Sequence, residues 1–343
     1  MKFKIEKRDE IKFNSTLDVV FSVIGISLFL VSIYILNKQC SLGGISIIVY
    51  IAYILITILP FFFLGTKYGI SFLKNINKVY LGFSFSIISA LIIATYNYVT
   101  VENLKLFWSL FCFVFLMFFT LFLILILKNK DIGKMKASNR DVLILLMIFL
   151  ITQSRFVSIR IFNIPEPYRF NFDLFYIWLG INLVLFIFLV IRGFEREKLG
   201  YSLGIGMRDF SFVLFGLVVS LTILMPVGVI FGYTELPGVN IPKISELVVT
   251  FTYYTFIISL SEEIMFRGLI LNFVKDFLRR DEYALLISSL LFALVHIQKG
   301  IYSLASTFIL GIILGYIYLR TLKLTASIYL HGILDVFGHL IFV

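Results

Sequence analysis

Residues 246–272 read ELVVTFTYYTFIISLSEEIMFRGLILN. The run exceeds the roughly 20 mostly apolar residues that cross a hydrocarbon core. Yet it carries Glu262, Glu263 and Arg267 within it. A charge at mid-membrane costs about 2.5–3.5 kcal/mol on insertion scales, so such groups face a bundle interior or a water-filled cavity and are functional candidates by default. The stretch reads as a membrane helix that carries chemistry into the bilayer. The rest of the 343-residue chain agrees, being 60% apolar and 15% charged with a mean hydropathy of +1.01. Ordinary soluble domains carry roughly 25% charged residues. This composition excludes a soluble globular domain, a disordered chain and a collagen-like fibre. Cys40 and Cys112 are too few to staple a disulfide scaffold.

Outward from this stretch, apolar runs follow one another at 19–36, 44–65, 79–99, 106–127, 142–162, 174–191, 211–232, 246–272, 283–298, 301–319 and 325–342. The expected fold is all-α, a polytopic transmembrane helix bundle of about eleven spans. The runs are continuous rather than alternating, which excludes β-barrel strands. The net charge of +10 comes from basic residues clustered in the connecting loops. It reports membrane topology and not a nucleic-acid partner. Basic-rich and basic-poor loops alternate, starting from Lys2, Lys4, Lys7, Arg8 and Lys12 ahead of the first span. The alternation places the N-terminus in the cytoplasm and the C-terminus outside a cell membrane. The first span is expected to stay as an anchor, since no small-residue cleavage site follows it. No C-terminal lipidation signal is expected at Ile341-Phe342-Val343.

The character of the sequence divides the chain. Residues 1–192 give six spans of unknown role, 193–210 an amphipathic cytoplasmic linker, and 211–343 the part with chemistry. His296, His331 and His339 all fall in this last part, as do Glu262, Glu263 and Asp335. On a helix, Glu263 and Arg267 are i,i+4 neighbours and pair, while Glu262 points 100° away from Glu263. A turn at Arg279-Arg280-Asp281 sets Glu262 and His296 at one depth, because each lies 17 positions from Arg279. That depth is about 20 Å above Lys275 and Tyr283. His331 and Asp335 are again i,i+4 and lie about 10–20 Å in from the loop near Lys323. His339 continues their stripe as a neighbour. Gly311 and Gly315 form a GxxxG that reads as helix packing. A lone histidine on an apolar helix is more often a satisfied core residue, and Glu263 with Arg267 is explained by pairing alone. The clustering is what turns these residues into a site.

A buried carboxylate beside an imidazole is a water-activating pair. A second histidine, with a polar partner one turn on, supplies donors to an oxyanion. These parts suit amide hydrolysis. Glu262-Glu263-x-x-x-Arg267, Phe292-x-x-x-His296 and His331-x-x-x-Asp335, in that order on successive membrane helices, resemble the CPBP family. These are the CAAX prenyl endopeptidases and the bacteriocin-processing (Abi-type) membrane proteases. The resemblance covers about residues 199–343. It implies a CPBP-like catalytic core in which Glu262 and His296 activate water, His331 and Asp335 take the oxyanion-stabilising positions, and Glu263, Arg267 and Phe292 shape the site or hold substrate. Many members carry Asn where this chain has Asp335; an ionised Asp cannot donate to an oxyanion. Asp335 is then protonated or orients His331. No cofactor is expected. The alternative is zinc on Glu262, His296 and His331, a ligand set of the right chemistry drawn from three helices. The implied partners are the lipid bilayer and a peptide or protein substrate, prenylated in the CAAX branch.

The leading expectation is an intramembrane endopeptidase with a site opening to the cytoplasm. One alternative is a membrane scaffold or immunity protein that keeps the fold to bind a partner. The other is a proton-coupled transporter using the buried Glu, His and Asp as a relay, against which stands the lack of an internal repeat.

Overall fold

The structure is a computed structural model and describes residues 14–40, 62–101, 104–128, 137–139, 141–145, 182, 184–230 and 242–340. All regular structure among these residues is helical, as the apolar runs dictate. The main helices are α1 (Ser15–Cys40), α2 (Lys67–Lys74), α3 (Lys78–Val101), α4 (Leu104–Lys128), α5 (Met207–Ile230), α6 (Ile244–Leu278), α7 (Asp281–Leu294), α8 (Ile301–Thr321) and α9 (Leu324–Leu340). Four stretches among the described residues are long and apolar enough to cross a membrane: Ser15–Ser32, Met207–Val227, Ile244–Leu278 and Ile301–Thr321. Shorter apolar stretches occur at Lys78–Leu91 and Leu104–Leu116. The expectation of about eleven spans is therefore met only in part. The runs at 44–65, 142–162 and 174–191 lie largely outside the described residues. The run at 283–298 is corrected: α7 has 14 residues, about 21 Å of helix against a core of about 30 Å.

The chain forms two compact units, one of residues Met1–Ile47 with Arg196–Val343 and one of Ile48–Glu195. In the second unit α3 and α4 pack through Phe83 against Phe115 and Phe119. Arg192 forms a fork on Asp141, Nε to Oδ1 at 2.6 Å and Nη2 to Oδ2 at 2.8 Å, with both side chains fully buried.

The first unit holds the motifs, and α1 belongs to it. Asp18 on α1 is fully buried, and its location is set by what meets it. Arg196 Nη1 pairs with Oδ2 at 2.5 Å. The Ser202 hydroxyl donates to Oδ1 at 2.7 Å, as do the Leu203 and Gly204 N–H groups at 3.2 Å each. Farther along α1, Phe29 meets Phe256 of α6 and Phe21 meets Tyr329 of α9.

The stretch expected as an interfacial linker is a short helix, Arg196–Leu199, followed by a strap at 200–206. Leu199, Tyr201, Ser202 and Leu203 are buried. The strap ties the helix ends together. Leu324 N–H donates to Gly200 O at 2.8 Å, the Thr325 hydroxyl to Ser202 O at 2.9 Å, and the Tyr318 hydroxyl to Leu199 O at 3.2 Å. Asn272 of α6 donates to the Tyr318 hydroxyl at 2.6 Å. Gly200 has φ +68°, and a Cβ there would lie 2.7 Å from Leu322 O, so glycine is required on both counts.

Removing one member of a buried ion pair typically costs about 3–5 kcal/mol. Asp18→Ala is expected to lower the thermal unfolding midpoint of the detergent-solubilised protein by an amount of that order. Asp18→Asn, which still accepts from the Leu203 and Gly204 N–H groups, is expected to lose less. Equal midpoints for Asp18→Ala and the parent chain would show that the pair contributes no net stability.

Candidate active site

The site is built on α6, a helix that changes its winding on either side of its two glutamates. Tyr254–Ser259 and Ile264–Leu271 are π-helical, with α-helical Leu260–Glu263 between them. Such wide turns are rare and concentrate at functional sites. The ion pair expected at i,i+4 is present, with Arg267 Nη1 2.7 Å from Glu263 Oε1 and both side chains buried to 1% and 0% exposure. The same Glu263 oxygen accepts from His331 Nδ1 on α9 at 2.9 Å. Arg267 reaches two further helices. Its Nη2 donates to Gly311 O on α8 at 3.2 Å, and its guanidinium lies over the Phe292 ring of α7 at 4.5 Å.

Glu262 points away from this pair, as the helix geometry requires. Its Oε1 lies 4.0 Å from His296 Nε2 and its Oε2 lies 3.7 Å from His331 Nε2. Oε2 is buried without a protein hydrogen-bond partner. The turn that sets the depth of His296 is where the sequence puts it: α6 ends at Leu278, Arg279 takes φ +54°, and α7 begins at Asp281. One expectation needs correction. His296 is not within a helix; α7 ends at Leu294, and His296 has φ −99° and ψ 3° ahead of a 3-10 turn at Ile297–Lys299. Its Nδ1 donates to Phe292 O at 2.9 Å, which fixes the ring with Nε2 facing Glu262.

Asp335 joins from α9, with Oδ2 3.6 Å from His331 Nε2. That distance is too long for a hydrogen bond. Phe292 is the apolar floor, edge-on to both imidazoles at 5.2 Å for His296 and 5.6 Å for His331. His339 stays off the cluster, 5.5 Å from the Tyr254 ring.

Two contributors escape a reading of motifs. Gly311 is more than a packing glycine, because its carbonyl holds Arg267. A Cβ there would also lie 3.1 Å from Ser289 Cα. Gly332, next to His331, packs on α6, and a Cβ there would sit 2.8 Å from Thr255 Cα. The GxxxG pattern flagged the first residue; nothing in the sequence flagged the second.

The zinc alternative requires Glu262, His296 and His331 to converge as a ligand set. Among the described residues no three His, Cys, Asp or Glu side chains are grouped to hold a metal ion.

Residues 244–337 match the family model for type II CAAX prenyl endopeptidase Rce1-like proteins. The match covers about a quarter of the chain. It begins with α6 and contains every residue of the Glu262–Asp335 cluster, in agreement with the CPBP resemblance drawn from the motifs. The family is one of membrane proteases acting on peptide or protein substrates. No curated protein and no solved structure matches the chain significantly.

Arg267 joins Glu263, the Gly311 carbonyl and the Phe292 ring. Arg267→Ala removes the partner of a buried carboxylate and is expected to destabilise by about 3–5 kcal/mol. Arg267→Lys keeps the charge but not the fork to Gly311 O and Glu263 together, and should recover only part of the loss. Denaturant unfolding of the two variants measures both, and a fully stable Arg267→Lys would show that the Gly311 contact is dispensable.

Proposed function

We propose that the chain is an intramembrane endopeptidase that hydrolyses a peptide bond with water activated by Glu262. One observation carries this reading: a single carboxylate faces the Nε2 atoms of two histidines from two other helices, at 4.0 and 3.7 Å. Both separations lie beyond direct hydrogen-bond reach, which leaves a water that touches both partners as the link between them. A water between Glu262 and His296 gives one proton towards each. Its oxygen is then the nucleophile.

The steps follow from the donor inventory. Glu262 removes a proton as the water oxygen bonds to the scissile carbonyl carbon, and the carbonyl oxygen becomes an oxyanion. His331 donates Nδ1–H to Glu263. With a second proton on Nε2 the ring is an imidazolium among Glu262, Glu263 and Asp335, and Nε2–H is the donor to the oxyanion. Asp335, an acceptor when ionised, favours the charged ring from 3.6 Å away rather than donating to the oxyanion itself. Glu262 then passes its proton to the leaving amine nitrogen as the carbon–nitrogen bond breaks. Glu263 and Arg267 fix the angle of His331, and Phe292 keeps the floor of the site dry. In this scheme His296 touches the water and does not replace Glu262 as base. The protein is taken as a multi-pass membrane protein with a cytoplasmic N-terminus, in line with its loop charges.

General acid–base groups contribute typically about 10²–10⁴-fold. Glu262→Gln is expected to lower cleavage by this range with little change in thermal stability, since Glu262 stands 4.0 and 3.7 Å from its two histidines, beyond direct hydrogen-bond reach, and glutamine keeps its shape. The readout is a comparison of membrane proteomes carrying the parent or the Glu262→Gln chain, scored for new peptide termini. Termini that persist unchanged in Glu262→Gln would overturn the assignment. His296→Ala should also slow cleavage, whereas a fully active variant would remove His296 from the mechanism. Metal content decides the zinc alternative. Stoichiometric zinc in active protein, with activity lost on chelation and regained on adding zinc, would move water activation from Glu262 to the metal.

A further inference from the structure

The first unit has two unlike ends. At one end the strap gathers the start of α5, the end of α6, the start of α7, the end of α8 and the start of α9. This end carries Arg196, Lys198, Arg208, Lys275, Arg279, Arg280, Arg320 and Lys323. They belong to one end because the links between them are direct. Lys198 pairs with Asp276 at 2.6 Å, Lys275 with Asp281 at 2.6 Å and Lys323 with Asp209 at 3.2 Å, and Arg208 donates to Arg320 O at 3.1 Å. The opposite end is formed by the end of α1, the start of α6, the 3-10 turn between α7 and α8, and the end of α9. Among the described residues of the unit it carries only Lys38, Lys243 and Lys299. By the positive-inside rule the strap end is cytoplasmic.

Burial shows which end reaches the catalytic groups. Towards the strap the cluster is sealed: Arg267, Leu269, Leu271, Leu324, Ser327 and Leu330 are at or below 1% exposure. Towards the other end it opens. The side chains of Asp335, Glu262 and His296 are 26%, 25% and 17% exposed. Beyond them Lys299, Gly300 and Gly338 are exposed. Carboxylates and an imidazole are not left against hydrocarbon, so the open side of the cluster is a water-filled mouth. Lys299 stands at its rim, exposed in the 3-10 turn that follows His296. The short α7 makes this mouth. It stops at Leu294, well short of a full crossing, and leaves His296 in the turn rather than under a further helical turn.

We propose that the site is entered from the outer face of the membrane, through the α7–α8 turn. Its substrates are then peptide segments presented on the extracytoplasmic side, next to or within the outer half of the bilayer. This reverses the expectation of a cytoplasmic mouth. The sidedness rests on charge and burial alone; the word substrate rests on the endopeptidase reading above.

The test uses the full chain in intact cells, with Cys40→Ser and Cys112→Ser as background and Lys299→Cys, Ile297→Cys or Arg279→Cys added singly. The probe is a membrane-impermeant maleimide, applied before and after permeabilisation. Lys299→Cys and Ile297→Cys are expected to react in intact cells, and Arg279→Cys only after permeabilisation. Two rim positions guard against one variant failing to accumulate. Rim cysteines that react only after permeabilisation overturn the proposal, whatever Arg279→Cys does. A second arm maps the termini lost in Glu262→Gln membranes. They are expected in outward-facing segments, and cytoplasmic termini would overturn the proposal. Outside labelling with no Glu262-dependent termini would leave the sidedness standing and count against the peptidase reading instead.

Discussion

One oxygen atom organises the first unit. Glu263 Oε1 accepts from Arg267 at 2.7 Å and from His331 at 2.9 Å, and through Arg267 it is tied to the Gly311 carbonyl and the Phe292 ring. Four helices are thus set against one buried carboxylate. Taking such a group out of water is costly, and the cost is offset only when its partners are in place. Inside a low-dielectric core the satisfied network is correspondingly strong, and a half-formed one is unfavourable. This all-or-none character makes it a register device as much as a source of stability. With Glu263 committed to holding the frame, its neighbour Glu262 is left to face the histidines.

The parts of this arrangement that were legible in the sequence are those governed by local geometry. The i,i+4 spacing shows the Glu263–Arg267 pair, and symmetry about Arg279 brings Glu262 to His296. The His331–Asp335 spacing puts both on one face of α9. These readings needed only helix rise and twist. What stayed hidden depends on the wider fold. The π-helical turns of α6 follow from packing, because nothing in YTFIIS or IMFRGLIL distinguishes them from α-helix formers. The release of His296 from α7 is hidden for a similar reason, since the apolar run continues through Val295 and Ile297. Hydropathy counts residues and does not see where a helix stops. The same limit applies to the count of spans. Backbone partners are invisible to motif reading too, so the Gly311 carbonyl emerged only with the structure.

Asp18 is the largest departure from what composition suggested. Taken alone it is one acidic residue at the start of an apolar run. In the structure it is the cap of the strap, gathering Arg196, Ser202 and two backbone N–H groups. The unit that holds the site is therefore discontinuous. The first helix closes it from the side of Phe256 and Tyr329, although the Rce1-like match begins only at residue 244.

This discontinuity bears on how the protein is made. Asp18 and Arg196 are 178 residues apart in the chain. At synthesis rates of about 5–20 residues per second, α1 waits roughly 10–40 s for its partner to leave the ribosome. During that interval an acidic side chain destined for full burial has no Arg196 to meet. It must stay in water at the edge of the membrane, and the first helix remains provisional until the last third of the chain arrives. Assembly of the unit that holds the cluster is thus a late event in biosynthesis, timed by the length of the intervening segment.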